Sequence, residues 1–259
     1  MGLHKRMGDV WIPDRAITIE EVLAGFSILE NDWMAASSIG DKYGMRKASL
    51  TAAAVIGGFF AGLRGEEIAK MDLGALRSNW DEATRMPLHK RHVPLMLAGR
   101  FKREIGEKLF CQPLAPITKT GVQILLWFQR LIRCLEAHGE TDGAIFKVWN
   151  KNRTKHSKAR VGDLDIMFLS LWKRIQILHP NLIPKTVDVD DEYSISRSAR
   201  RGSTTHAFNM QIPPHVVEAN NHWRKHQRSR GSTPNMSMME RYSDAKASVP
   251  TLIRYSSSM

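Results

Sequence analysis

The apolar run TAAAVIGGFFAGL, residues 51–63, constrains the fold of this chain more than any other segment. It is too short to span a bilayer as a helix, which takes roughly 20 residues. Together with the preceding MRKASL, it predicts a largely buried helix over 45–63, because a helix that is apolar on every side belongs in a protein core. The pattern breaks near Arg64 and continues as a helix through GEEIAKM.

Most of the remaining chain also has helical periodicity. Thr18, followed by two glutamates, is a plausible N-cap for the first helix. This first helix is predicted over 18–38, and further helices are predicted over 121–139, 162–178 and 196–210, with short ones in IPPHVVEANNHW and MSMMERYSDAKA. Two β-like runs, HVPLMLA (92–98) and KLFCQPLAPI (108–117), flank a turn and predict a hairpin. The expected fold class is therefore mainly α with a small antiparallel β-sheet (α+β), in a single domain.

Composition indicates a folded protein that meets a polyanion. The chain is 42% hydrophobic with a formal net charge of +12, and a basic folded protein of this size most often binds DNA, RNA or an anionic membrane surface. Its two cysteines, Cys111 and Cys134, fit no metal-ligand spacing and suit a reducing compartment. The N-terminal MGLHKRMGDVW has no apolar signal core, so we expect an intracellular protein without a membrane partner.

The segment RSARRGSTTHA (197–207) places three arginines within five positions. It is either a solvated helix face or one wall of a phosphate pocket. A phosphodiester pocket needs cations around the non-bridging oxygens, a nucleophile in line with the leaving oxygen and a proton donor for that oxygen. Arginine suits the first task because its planar guanidinium grips two oxygens. Arg64 and Glu67 are likewise either an ordinary i, i+3 helix pair or part of such a pocket.

In chain order, these residues resemble the tyrosine recombinases, the phage-type integrases. GLRGEEIAKMDL (62–73) is similar to the first box of that family, with Arg64 as the first catalytic arginine and Glu67 as its supporting carboxylate. RSARRG is similar to the second box, His-x-x-Arg. Arg200 takes the arginine position there, and Arg197 stands where histidine is usual. By this resemblance the three arginines surround the scissile phosphate.

The lysine and the nucleophile of the family also have counterparts. LAGRFKREIGEKLFCQPL (97–114) resembles the hairpin that carries the catalytic lysine, which makes Lys102 the general acid, with Arg100 and Lys108 as competitors. MSMMERYSD resembles the nucleophile segment and identifies Tyr242. The chain's other tyrosines are Tyr43, Tyr193 and Tyr255, of which Tyr255 is the fallback nucleophile.

One spacing makes the resemblance specific. Trp223 follows Arg200 by 23 residues, the separation at which the family places a histidine or tryptophan. Tyr242 then follows Trp223 by 19 residues, which is longer than the family pattern, and the basic loop 224–235 accounts for the excess. Long surface loops add little closure entropy. The expected DNA-backbone contacts are Arg201, Arg224, Lys225, Arg228 and Arg230.

The resemblance implies a tyrosine-recombinase catalytic domain over 16–247, between an N-terminal segment 1–15 and a tail 248–259. It implies site-specific recombination of double-stranded DNA through a 3′-phosphotyrosyl link, with neither ATP nor a metal or other cofactor. It further implies an intracellular, DNA-associated homotetramer on paired sites that exchanges C-terminal segments such as VPTLIRYSSSM. The alternatives are a type IB topoisomerase-like nicking and relaxing enzyme, and a catalytically degenerate DNA-binding protein.

Overall fold

The computed structural model describes residues 14–99, 108–149, 156–213, 216–217, 220, 253 and 256–259. In these ranges the helices are α1 (Ile19–Ser38), α2 (Lys42–Val55), α3 (Gly65–Ile68), α4 (Leu73–Arg85), α5 (Ile124–Glu136), α6 (Val161–Leu178), α7 (Val189–Glu192) and α8 (Ser198–Asn209). The strands are β1 (Val93–Gly99), β2 (Lys108–Leu114), β3 (Lys147–Trp149) and β4 (His156–Lys158). The chain is mainly helical with small antiparallel sheets, which confirms the α+β prediction.

The two N-terminal helices form the centre of the core. Thr18 caps α1 through a capping box with Glu21, as the sequence indicates. Helix α2 passes directly into a π-helical segment, Ile56–Phe60, whose residues are all buried. The predicted helix over 45–63 is therefore present from Lys42 to Phe60, and its last turn is wider than an α-helical turn: the Ala61 N–H donates to the Ile56 carbonyl, five residues back.

Helices α5 and α6 pack around α2 and α1. Two arginines fasten them to α1 through bidentate ion pairs: Arg130 of α5 donates to Glu30, and Arg174 of α6 donates to Asp32. Bidentate guanidinium–carboxylate pairs fix both distance and orientation. Gly139, at a φ of +75°, stands three residues beyond the last residue of α5, where the sequence predicted a stop.

The hairpin of β1 and β2 confirms the two predicted strands. The strands are antiparallel, in register from Val93 opposite Leu114 to Gly99 opposite Lys108. The chain leaving α3 adds to the outer edge of β1: the Ala98 N–H donates to the Lys70 carbonyl (2.8 Å), and the Asp72 N–H donates to the Met96 carbonyl (2.9 Å). The short helix α3 is thus tied to the end of the hairpin.

Four elements were not predicted. Helix α4 begins at the N-cap Asp72 and has only three buried residues, so its apolar stripe is weak. Strands β3 and β4 have three residues each, too short to show an alternating pattern. The acidic connection 179–193 contains the single turn α7, capped by Asp188. Within the described residues, none of the helices is long and apolar enough to cross a membrane.

Candidate functional site

Arg64 lies where the π-helical segment reverses into α3. Gly62 has a φ of +62°, and the Leu63 N–H donates to the Gly57 carbonyl (2.9 Å). Leu63 is fully buried, so the residue after it is fixed at the edge of the core. Arg64 is extended as the N-cap of α3, and 46% of its side chain is exposed. Its guanidinium is consequently held at the surface by a buried neighbour.

Arg200 reaches the same place from the other end of the chain. It lies in the first turn of α8, which packs on the π-helical segment. A Cβ built on Gly58 would stand 2.8 Å from the Ala199 Cβ, so the helix approaches this closely only because residue 58 is glycine. The Arg200 side chain is 8% exposed. A buried arginine needs a negative partner, which α3 supplies.

Glu67 is that partner, and it serves both arginines. Its Oε1 lies 3.8 Å from Arg64 Nη1, its Oε2 lies 3.7 Å from Arg200 Nη1, and Oε2 also accepts the Arg64 backbone N–H at 2.8 Å. The carboxylate is 15% exposed. Two guanidinium groups from distant parts of the sequence therefore converge on one largely buried carboxylate. One is buried and oriented, and the other is open to solvent.

Arg197 is the N-cap residue of α8 and has a different partner. Its Nη1 lies 3.4 Å from Asp14 Oδ1, and half of its side chain (51%) is exposed. Asp14 is itself largely buried and accepts a hydrogen bond from the Ser194 hydroxyl (2.7 Å). Arg201, the next arginine along α8, is exposed. Arg197 and Arg201 therefore present cations to solvent from the same helix end that carries Arg200.

The remaining predicted site residues lie outside the described residues: Arg100, Lys102, Trp223, Arg224, Lys225, Arg228, Arg230 and Tyr242. Lys108, a competitor for the lysine role, opens β2 opposite Gly99. A side chain at Gly99 would stand 3.8 Å from the Lys70 side chain. The end of the hairpin at Gly99 and Lys108 thus lies next to the chain that leaves α3.

Two of the competing tyrosines have described positions. Tyr193 is buried and donates to Glu21 Oε1 at 3.0 Å. Burial, followed by the charge of Glu21, raises the pKa of the Tyr193 phenol, so it is poorly suited to act as a nucleophile. Tyr43 is 56% exposed, with its ring edge against His138. Tyr255 is outside the described residues.

Helix α8 also carries a histidine that faces the core. The His206 ring lies 6.1 Å from the Phe59 ring, centroid to centroid, and its Nε2 is buried with no hydrogen-bond partner among the described residues. Burial lowers the pKa of His206. A neutral ring suits this position, since a buried cation would be poorly solvated.

Sequence reasoning missed Asp14. An isolated aspartate in an N-terminal segment has no periodicity or motif, and its partner is 183 residues away. It also missed Asp165, whose Oδ1 accepts the Ile195 N–H at 2.7 Å beneath the start of α8. Burial, and then the charge of Asp14, raises the pKa of Asp165. Long-range pairs of this kind are visible only in three dimensions.

Chemically, the arrangement is a cationic surface with a fixed orientation. Arginine side chains bind the non-bridging oxygens of phosphates, and those of Arg64 and Arg197 are each about half exposed. Among the described residues, no group of three or more histidine, cysteine, aspartate or glutamate side chains could hold a metal ion. No family model matches the chain, and no curated protein matches it in sequence.

Proposed function

We propose that this chain is a site-specific DNA recombinase of the tyrosine recombinase type, with a fold like the catalytic domain of that family. The observation that carries the proposal is the convergence of Arg64 and Arg200 on Glu67. An accidental i, i+3 pair would give no reason for a buried arginine from α8 to share the same carboxylate. The formal net charge of +12 supports a polyanionic substrate.

In the proposed reaction, the phenol oxygen of Tyr242 bonds to the phosphorus of a DNA phosphodiester and releases its proton to solvent. The bond from phosphorus to the 5′ oxygen breaks, and Lys102 supplies the proton that makes this oxygen a hydroxyl. Arg64, Arg200 and Arg197 stabilise the negative charge on the equatorial oxygens. Trp223 closes the pocket. The phosphotyrosyl link retains the bond energy, so a 5′-hydroxyl from a partner strand can reverse the step.

Paired DNA sites and a homotetramer belong to the same proposal. Residues 256–259 contact their own chain: the Ser256 hydroxyl accepts the Ala115 N–H (2.6 Å), and the Thr120 hydroxyl donates to the Met259 carbonyl (2.8 Å). Exchange of C-terminal segments would remake these contacts between neighbouring subunits, since a swapped element keeps the same interactions.

A nicked suicide substrate tests the proposal. The short strand beyond the scissile phosphate diffuses away after cleavage, so a covalent protein–DNA adduct accumulates and is resolved on a denaturing gel. We expect an adduct that is lost in Tyr242→Phe and in Arg200→Ala, and retained in the matched control Tyr255→Phe. No adduct with any tested site, although DNA still binds, would leave a degenerate DNA-binding protein.

Supercoiled plasmid separates the two enzymatic alternatives. Relaxation without a recombinant product would indicate topoisomerase-like nicking in place of recombination. Recombinant products from paired sites would support the proposal. Phosphate contacts also predict that binding weakens more than about tenfold between 50 and 200 mM salt. A flat salt response would contradict a surface that grips phosphates.

A further inference from the structure

The segment 14–18, which precedes α1, is hydrogen-bonded to the part of the chain that carries Arg197. The Arg15 N–H donates to the Glu192 carbonyl (2.6 Å), and the Ile17 N–H donates to the Ser198 carbonyl (3.2 Å). A Cβ on Gly202 would collide with the Ile17 carbonyl oxygen, so α8 and this segment are in direct contact. The segment is part of the frame of the candidate site.

Asp14 lies within this segment and faces Arg197. Its two oxygens have different tasks: Oδ2 accepts the Ser194 hydroxyl at 2.7 Å, and Oδ1 faces Arg197 Nη1 at 3.4 Å. The Ser194 N–H in turn donates to the Ser198 hydroxyl, so the carboxylate is fixed by the turn that begins α8. Asp14 is 16% exposed and Arg197 is 51% exposed. The carboxylate is therefore held in place, while half of the Arg197 side chain remains exposed.

This geometry matches the way Glu67 holds Arg64. In both cases a largely buried carboxylate, fixed by a second hydrogen bond, faces one nitrogen of a guanidinium that is partly open to solvent. Arginine has five N–H donors, so a contact at one nitrogen leaves the others for an anion. An arginine side chain without a fixed partner loses rotamer freedom when it binds an anion. A side chain that a carboxylate already orients loses less.

We infer that Asp14 is a positioning residue: it orients Arg197 toward the phosphate that the proposed function places at this site. The inference rests on that function. Asp14 acts through Arg197 and does not touch DNA. Asp165 accepts a hydrogen bond from the Ile195 N–H and so supports the backbone of the turn that begins α8.

The test is a double-mutant cycle on the cleavage rate of the full chain with the suicide substrate at saturating DNA. Asp14→Asn keeps the size of the side chain and removes its charge. We expect cleavage to slow by about tenfold in Asp14→Asn, and we expect the same substitution to have no further effect in an Arg197→Ala background. The matched control is Asp190→Asn, because Asp190 pairs with the exposed Lys173 instead.

The cycle separates positioning from folding. A purely structural role would slow both backgrounds equally, and that result would overturn the inference. Ser194→Ala removes one hydrogen bond to Asp14 but neither charge, so we expect a smaller loss than in Asp14→Asn. Faster cleavage or tighter DNA binding in Asp14→Asn would also overturn it, because Asp14 would then compete with the phosphate. If the unsubstituted chain forms no adduct, the proposed function itself fails, and the inference fails with it.

Discussion

Arg200 and Glu67 lie 3.7 Å apart, Nη1 to Oε2, although α3 and α8 are separated by most of the described chain. The Arg200 side chain is 8% exposed and the Glu67 side chain 15% exposed, so this pair is largely withdrawn from water. An isolated charge at either position would be costly. Each residue therefore supplies a counter-charge to the other, and Arg64 adds a second cation from the solvent side.

We predict that Glu67→Gln lowers the free energy of unfolding by about 1–3 kcal/mol, because the buried Arg200 loses the carboxylate charge that lies 3.7 Å from its Nη1. The amide oxygen of the glutamine can still accept the hydrogen bond from the Arg64 N–H. The loss of stability therefore reflects the missing negative charge more than a missing helix cap. Urea denaturation measures the change.

The control for this prediction is Glu66→Gln, in the same turn but exposed. It should leave the urea midpoint nearly unchanged, since exposed substitutions have small effects. Equal midpoint shifts in the two variants would show that the pairing with Arg200 has no energetic weight.

Gly58→Ala should destabilise the chain by about 1–3 kcal/mol, because the added methyl meets the Ala199 Cβ and forces α8 away from the π-helical segment. Adding Ala199→Gly should recover much of that loss by removing the opposing carbon. Thermal and urea unfolding of the single and double variants measure both effects.

Gly162→Ala in α6 is the matched control, since a Cβ there meets nothing within 4 Å. It should be neutral or stabilise the chain by up to about 1 kcal/mol, as expected for glycine replaced in a helix. Failure of Ala199→Gly to rescue Gly58→Ala would show that the close contact is not the cause.

The elements that the sequence predicts are those with a strong local signal. The capping residue Thr18 predicts α1, and the buried run after residue 50 predicts α2, in each case without reference to the rest of the chain. Helix α4 was missed because its buried positions are few, and β3 and β4 because each is three residues long. These elements are stabilised mainly by tertiary contacts, which local propensity does not report.

The candidate site divides in the same way. Arg64, Glu67 and Arg200 could be selected from motif order, and the structure brings them together. Asp14 could not be selected, because a single carboxylate acquires its role only when folding places it beside Arg197. Motif order thus selects Arg64, Arg200 and the carboxylate that they share, but not a carboxylate that lies outside any motif.

We predict that the protein loses stability on mild acidification because His206 takes up a proton. Burial lowers its pKa in the folded protein below the ordinary 6.5, so the unfolded chain binds a proton more readily. Its contribution is fully present above about pH 6.5 and is lost as the pH falls from there through the folded pKa. His206→Phe should flatten this part of the pH profile in urea titrations from pH 7.5 to 5. If the pH dependence of stability had the same slope in His206→Phe, a group other than His206 would be responsible for it.

We predict that Glu21 makes stability depend on pH in the opposite direction. Burial raises the pKa of this carboxyl above its ordinary 4.5, so between that pH and the folded pKa the folded chain holds the proton that the unfolded chain has released. Stability from this group is therefore greatest below pH 4.5 and falls as the pH rises through the window. In Glu21→Gln this fall should vanish, because the side chain no longer titrates.

Tyr193→Phe is the informative companion to Glu21→Gln. It removes the hydroxyl that donates to Glu21 Oε1, which is a hydrogen bond to the charged form. The folded pKa of Glu21 should therefore rise further, and the window over which stability falls should extend to higher pH. Urea titrations from pH 4 to 8 on the three proteins measure this. A Tyr193→Phe profile identical to that of the unsubstituted chain would show that the buried hydroxyl does not stabilise the carboxylate.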